Sequence, residues 1–153
     1  ILFLGLMMTT EGAKVLEYNA RFGDPETQSI LIRLESDFVE ICQAIQNQTL
    51  DKINIKWKKG SSACVILAAR NYPNKPQTGD RIYGLPETAD AENIVIFHSG
   101  TAFDENGDFI TAGGRVLGAA ATGNDLDEAL KSAYKAVEKI RFEGMQFRRD
   151  IGK

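Results

Sequence analysis

The chain has 153 residues, 43% hydrophobic and 25% charged, enough for one domain or one and a fraction of ordinary soluble composition. A net charge of -3 argues against a nucleic-acid partner, which normally calls for a clustered basic excess. No apolar run approaches the ~20 residues of a membrane span, so no membrane partner is expected.

In chain order, Ile1 to Met8 is apolar enough to read as a strand buried on both faces. It carries no initiator Met and no charged leader, and a domain is not expected to open in mid-strand. Residue 1 is therefore expected to be a cut point, with a larger N-terminal portion absent. Thr9-Thr10-Glu11-Gly12 reads as a turn, and Lys14 to Asn19 as the strand that returns antiparallel. Pro25 suits the first turn of a helix with Asp24 as its cap, carrying Ile30, Leu31 and Leu34. A second helix starts near Ser36 or Asp37, with Phe38, Ile41, Cys42 and Ile45 on one face.

Residues 46 to 60 read as a boundary region, which predicts one unit over 1–58 and a second over 59–153, with Trp57 packed at the junction. Ser62 to Ala69 is a buried strand and Ile94 to Phe97 another. Asn106-Gly107, between Phe103 and Phe109-Ile110, signals a type I′ hairpin. Gly114 to Gly123 is an alanine-rich strand. Asp125 begins a capping box with Glu128, opening a helix whose Leu126, Ala129, Leu130, Ala133, Val137 and Ile140 share a face. Strands around a few helices predict an α+β fold. Cys42 and Cys64 stand in no C-x-x-C pair and are expected to be reduced, buried thiols of a cytoplasmic protein.

The stretch that carries chemistry runs from Glu17 to Gln28. Residues two apart on a strand share a face, so Glu17 and Asn19 point the same way. A carboxylate and an amide oxygen are hard ligands that suit Mg²⁺, which leaves its other positions to phosphates and water. Arg21 continues that face if the strand persists, placing a cation beside the metal as phosphoryl transfer requires. The same alternation is common on exposed strands, and Arg21 with Asp24 reads equally as a surface ion pair. His98, the lone histidine, has no Ser or Cys at suggestive spacing and reads as structural.

Glu17-x-Asn19-x-Arg21 resembles the last metal-binding strand of ATP-grasp ligases. The whole run EYNARFGDPETQ resembles the signature of the phosphoribosylamine–glycine ligase (glycinamide ribonucleotide synthetase) family. The similarity extends to LFLGLMMTTEGAKVLEYN before it and to ACVILAARNYPNKPQTGDRIYGL, TAGGRVLGAAATGNDLDEAL and RRDIG after it. Asn71 stands where the family usually has glycine, and asparagine tolerates the left-handed conformation better than most residues.

The resemblance implies the last strands and helices of an ATP-grasp domain followed by a small mixed-sheet C-terminal domain. It implies that Glu17 and Asn19 bind Mg²⁺ or Mn²⁺, that Arg21 lies beside the transferring phosphoryl group, and that Asp24 lines the glycine or phosphoribosylamine pocket. Asp24 reads equally as a helix cap. Gly114 and Arg115 are implied to meet the ribose 5-phosphate, the arginine as a two-pronged donor. They read as readily as a tight turn into a strand. The partners implied are ATP, glycine, 5-phosphoribosylamine and the absent N-terminal part. The alternatives are a different ATP-grasp carboxylate–amine ligase and a non-catalytic interaction module retaining the fold.

Overall fold

The computed structural model describes residues 1–85 and 92–152. Strands β1 (Phe3–Thr9) and β2 (Gly12–Asn19) form an antiparallel ribbon in which Phe3 faces Asn19 and Gly5 faces Glu17. The returning strand is where the sequence placed it, and a bulge follows Gly5. Burial on both faces is not found. Leu2, Met8 and Leu16 are 71%, 74% and 64% exposed, because a two-stranded ribbon covers neither of its faces.

Helix α1 (Glu26–Leu31) starts one residue later than expected, and Asp24 does not cap it. The Asp24–Pro25 peptide is cis, and the Asp24 carboxylate is turned toward Gln28 and Arg115 instead of the helix amides. Helix α2 (Phe38–Gln46) is capped by Asp37, whose carboxylate accepts from Val39 N and Glu40 N. It packs through Ile41 and Ala44, and Phe38, Ile45 and Cys42 stay exposed. The buried stripe is thus rotated from the one expected, and Cys42 is not a buried thiol. After a short 3-10 turn (Leu50–Lys52), residues 56–58 pair back onto residues 33–36 through a Leu34–Trp57 bridge. Trp57 remains 46% exposed there.

The core belongs to the C-terminal sheet. Strand β3 (Ser61–Ala68) pairs with β7 (Arg115–Gly123), and β7 with β4 (Ile94–His98), in the order β3-β7-β4. Every described pairing is antiparallel, so the sheet is not mixed. Ala63, Val65 and Leu67 face Ala121, Ala119 and Leu117 across the ladder, which puts all six on one side. Helix α3 (Leu126–Lys139) lies on that side, burying Ala129, Ala133, Ala136 and Val137. Its opening is the capping box displaced by one residue: Asp125 accepts from Glu128 N, while Glu128 accepts from Asn124 N. Helix α1 covers the opposite side, where Ser62 Oγ donates to Ser29 O at 2.6 Å.

Strands β5 (Thr101–Phe103) and β6 (Phe109–Thr111) make the expected hairpin, but on a five-residue loop. Asp104, not a type I′ turn, organises it. Its carboxylate accepts from Asn106 N and Asp108 N at 2.9 Å, and bonding to the Asp108 amide first holds it below the usual carboxylate range.

Leu67 and Leu117 are fully buried, so Leu67→Ala should cost about 2–5 kcal/mol, the usual range for a truncated core leucine. Leu16→Ala, on the exposed ribbon, should stay within about 0.5 kcal/mol. Denaturant unfolding of both variants checks this, and equal losses would place the core elsewhere.

Candidate functional site

Strand β2 ends at Asn19. Its last alternate positions carry Glu17 and Asn19 on one face, and neither side chain hydrogen-bonds or pairs with another described residue. Unpartnered hard oxygens at a strand end fit one edge of a Mg²⁺ or Mn²⁺ shell, the remainder coming from phosphates and water. Among the described residues no group of three or more His, Cys, Asp or Glu is positioned to hold a metal.

Arg21 is not on the strand. The chain bends at Ala20, and the guanidinium folds back to donate to Phe22 O at 3.0 Å. The expectation that the arginine continues the ligand face fails because the strand stops first. The turn that follows is internally braced: Thr27 Oγ1 donates to Gly23 O, and Gln28 Nε2 to Asp24 Oδ1 at 3.3 Å.

Ninety-one positions further along the chain, Arg115 meets that turn. Its Nη1 donates to Asp24 O at 2.9 Å, and its Nη2 lies 3.5 Å from Asp24 Oδ2. Nothing in the sequence joins these two stretches; β7 brings them together by starting beside the end of β3. The two glycines before Arg115 are used inside the fold. Gly113 lies against Gly100, where a Cβ on Gly113 would come within 3.1 Å of the other's Cα. At Gly114, the space a side chain would need is filled by the ring of Tyr72. Tyr72 follows Asn71, which takes the left-handed conformation at φ 68°.

Beyond Arg115 opens a cleft of about 350 Å³. It is walled by Tyr72, Arg115, Gln146 and Arg148 over Ile66, Ala68 and Phe147. Sequence analysis did not single out Gln146 or Arg148. Arg148 donates twice to Asp150, at 2.9 and 2.7 Å. Two other clefts, of about 370 and 460 Å³, flank Arg81 and Tyr83, and no residue of the signature turn lines either. His98 lies with Nδ1 3.0 Å from Thr101 Oγ1 and its ring against Phe109.

A family model described as phosphoribosylglycinamide synthetase, C domain, matches residues 62–153. The chain belongs to the phosphoribosylglycinamide synthetase family. The ATP-grasp (A) domain model of the same family matches residues 1–27, the ribbon and the signature turn. Phosphoribosylamine–glycine ligases of Vibrio vulnificus and Caldanaerobacter subterraneus are 48% and 46% identical over 152 and 151 residues. Each match takes 99% of this chain and 35% of the relative, so the chain spans about a third of their length. The crystal structure of phosphoribosylamine–glycine ligase from Thermotoga maritima superposes with a TM-score of 0.72 at 36% identity, over 97% of this chain and 36% of that one. The urea carboxylase of Kluyveromyces lactis, at 18% identity and TM-score 0.57, shares only the fold.

The thiols differ sharply. Burial first, and the Asp24 charge second, push Cys64 up to about 11, whereas Cys42 is exposed. Near pH 8, where a reagent needs thiolate, Cys42 should react quickly and Cys64 only after unfolding. Titrating accessible thiols in the native and unfolded chain checks this, and two fast native thiols would contradict the packing of β3.

Proposed function

We propose that the chain supplies the C-terminal third of an ATP-dependent ligase joining glycine to 5-phosphoribosylamine. The products are glycinamide ribonucleotide, ADP and phosphate, as in purine synthesis. The observation that supports this most directly is the meeting of the signature turn with Arg115 in a chain of this family. In this reading residues 1–58 end an ATP-grasp domain and residues 59–153 form the C-terminal domain. The apolar faces of the ribbon then pack against the part of the ligase that this chain does not include. Two unpaired thiols suit a cytoplasmic enzyme.

The chemistry runs in two steps. The glycine carboxylate takes the γ-phosphoryl group of ATP, forming glycyl phosphate and releasing ADP. The amine of phosphoribosylamine then attacks the glycyl carbonyl, and phosphate leaves with the bonding pair of the broken C–O bond. Glu17 and Asn19 hold the cation, which when bound supplies positive charge against the phosphate oxygens. Arg21, exposed beyond the strand end, is the cation we place beside the transferring group, where charge is redistributed. Arg115 lines the cleft in which we place the ribotide, with Asp24 held against Arg115 and Gly114 packed under the Tyr72 wall.

The 153 residues alone should release no phosphate from ATP in the presence of glycine and phosphoribosylamine, because the ATP-grasp model of the family matches only their first 27 residues. Turnover by this chain by itself would overturn the partial-enzyme reading. In the full-length ligase, Glu17→Gln keeps the shape and removes the charge. It should lower kcat by about 10²-fold or more, the scale of one preorganised charge-stabilising group, with little change in unfolding temperature. A normal rate at saturating Mg²⁺ would remove Glu17 from the metal site.

A further inference from the structure

Asp24 is held from two sides. Gln28, on its own helix, takes Oδ1 at 3.3 Å, while Arg115, on the C-terminal sheet, takes its main-chain oxygen at 2.9 Å and stands 3.5 Å from Oδ2. Among the described residues no other side chain beyond residue 60 hydrogen-bonds to residues 20–25. Through hydrogen bonds, the sheet therefore grips residues 20–25 at Asp24 alone among the described residues.

That point is rigidly mounted. Arg115 O accepts from Gly100 N at 2.9 Å, and Gly114 O from Ala69 N at 2.8 Å. The bulge at Leu67–Ala68 sets the register that places Arg115 opposite Ala68. Tyr72 packed on Gly114, and Gly100 on Gly113, leave the strand start no room to slide. The guanidinium is about one-third exposed and the Asp24 carboxylate about half, so the ion pair itself adds little stability. The hydrogen bond to the Asp24 carbonyl is different in kind: it is charge-assisted, directional, and made to the main chain of the turn.

We propose that Arg115 is a positioning residue. By holding Asp24, it fixes the turn from Ala20 to Pro25 against the C-terminal sheet, and so fixes where Asn19 and Arg21 stand relative to the ribotide cleft. The proposal rests on the roles given above to Glu17, Asn19 and Arg21. Its physical content is that Arg115 acts through Asp24 and not by binding the substrate phosphate directly. A misplacement of the order of 1 Å at the reacting centre lowers the rate without weakening ground-state binding.

The test is steady-state kinetics of the full-length ligase with Arg115→Ala, Arg115→Lys, Asp24→Ala and the double variant Arg115→Ala/Asp24→Ala. Arg115→Ala should lower kcat by roughly 10- to 100-fold while KM for all three substrates moves less than about 3-fold. Asp24→Ala removes the carboxylate and leaves the carbonyl that Arg115 holds, so it should lower kcat less than Arg115→Ala does, and by less again once Arg115 is already alanine. Lysine, a single donor that still reaches the Asp24 carbonyl, should recover part of kcat. A rise in KM for phosphoribosylamine at unchanged kcat would overturn the proposal and make Arg115 a phosphate ligand. Fully additive losses would overturn it as well. Should Arg115→Ala fail to fold, Arg115→Lys against Asp24→Ala decides between the same outcomes. Glu17→Gln is the reference: its full activity would sink the metal-strand reading, whereas its loss beside normal turnover in Arg115→Ala would sink the positioning role alone.

Discussion

The described structure depends on the close approach that strand β7 permits. Its run Val116 to Ala121 is wholly buried, and four of those six residues are Gly or Ala. Small side chains let α3 settle its own alanines, Ala129, Ala133 and Ala136, onto one face of the sheet, while α1 covers the other. Each contact buries little area by itself. Their sum makes a dry, tightly packed centre in which β3, β7 and α3 hold one another in register.

The candidate site inherits its geometry from that centre. Arg115 is the first residue of β7, so its backbone is placed by the same ladder that builds the core. The signature turn has no comparable support. Its own bonds are short-range, from Thr27 to Gly23 and from Gln28 to Asp24, and its links to the rest of the molecule are few. A well-anchored strand start holding a lightly anchored turn is a physical basis for the positioning role we propose for Arg115.

The ribbon β1–β2 shows what happens where such packing is lacking. Its hydrogen bonds are made, its register is regular apart from one bulge, and yet its leucines and methionines lie open. Backbone pairing decides that a strand forms, while burial depends on what is laid across it. The apolar run from Ile1 to Met8 therefore reports a surface that suits cover, and the relatives, about three times as long, are the source from which we infer that cover.

Local chemistry made much of this legible without coordinates. Alternation placed Glu17 and Asn19 on one face, Asp37 and Asp125 marked helix starts, and Asn71 was readable as a left-handed position, because each depends on residues within a few places of one another. The twelve-residue signature pointed to the family for the same reason. Tertiary structure decided the rest. It turned Asp24 from helix cap to partner of Arg115, ended β2 before Arg21, exposed Cys42, and spent the paired glycines on Gly100 and Tyr72. At Asp24 the outcome sets a local capping preference worth about 1 kcal/mol against a contact with a residue 91 positions away. A linear sequence displays the preference, but only the folded sheet brings the competitor within reach.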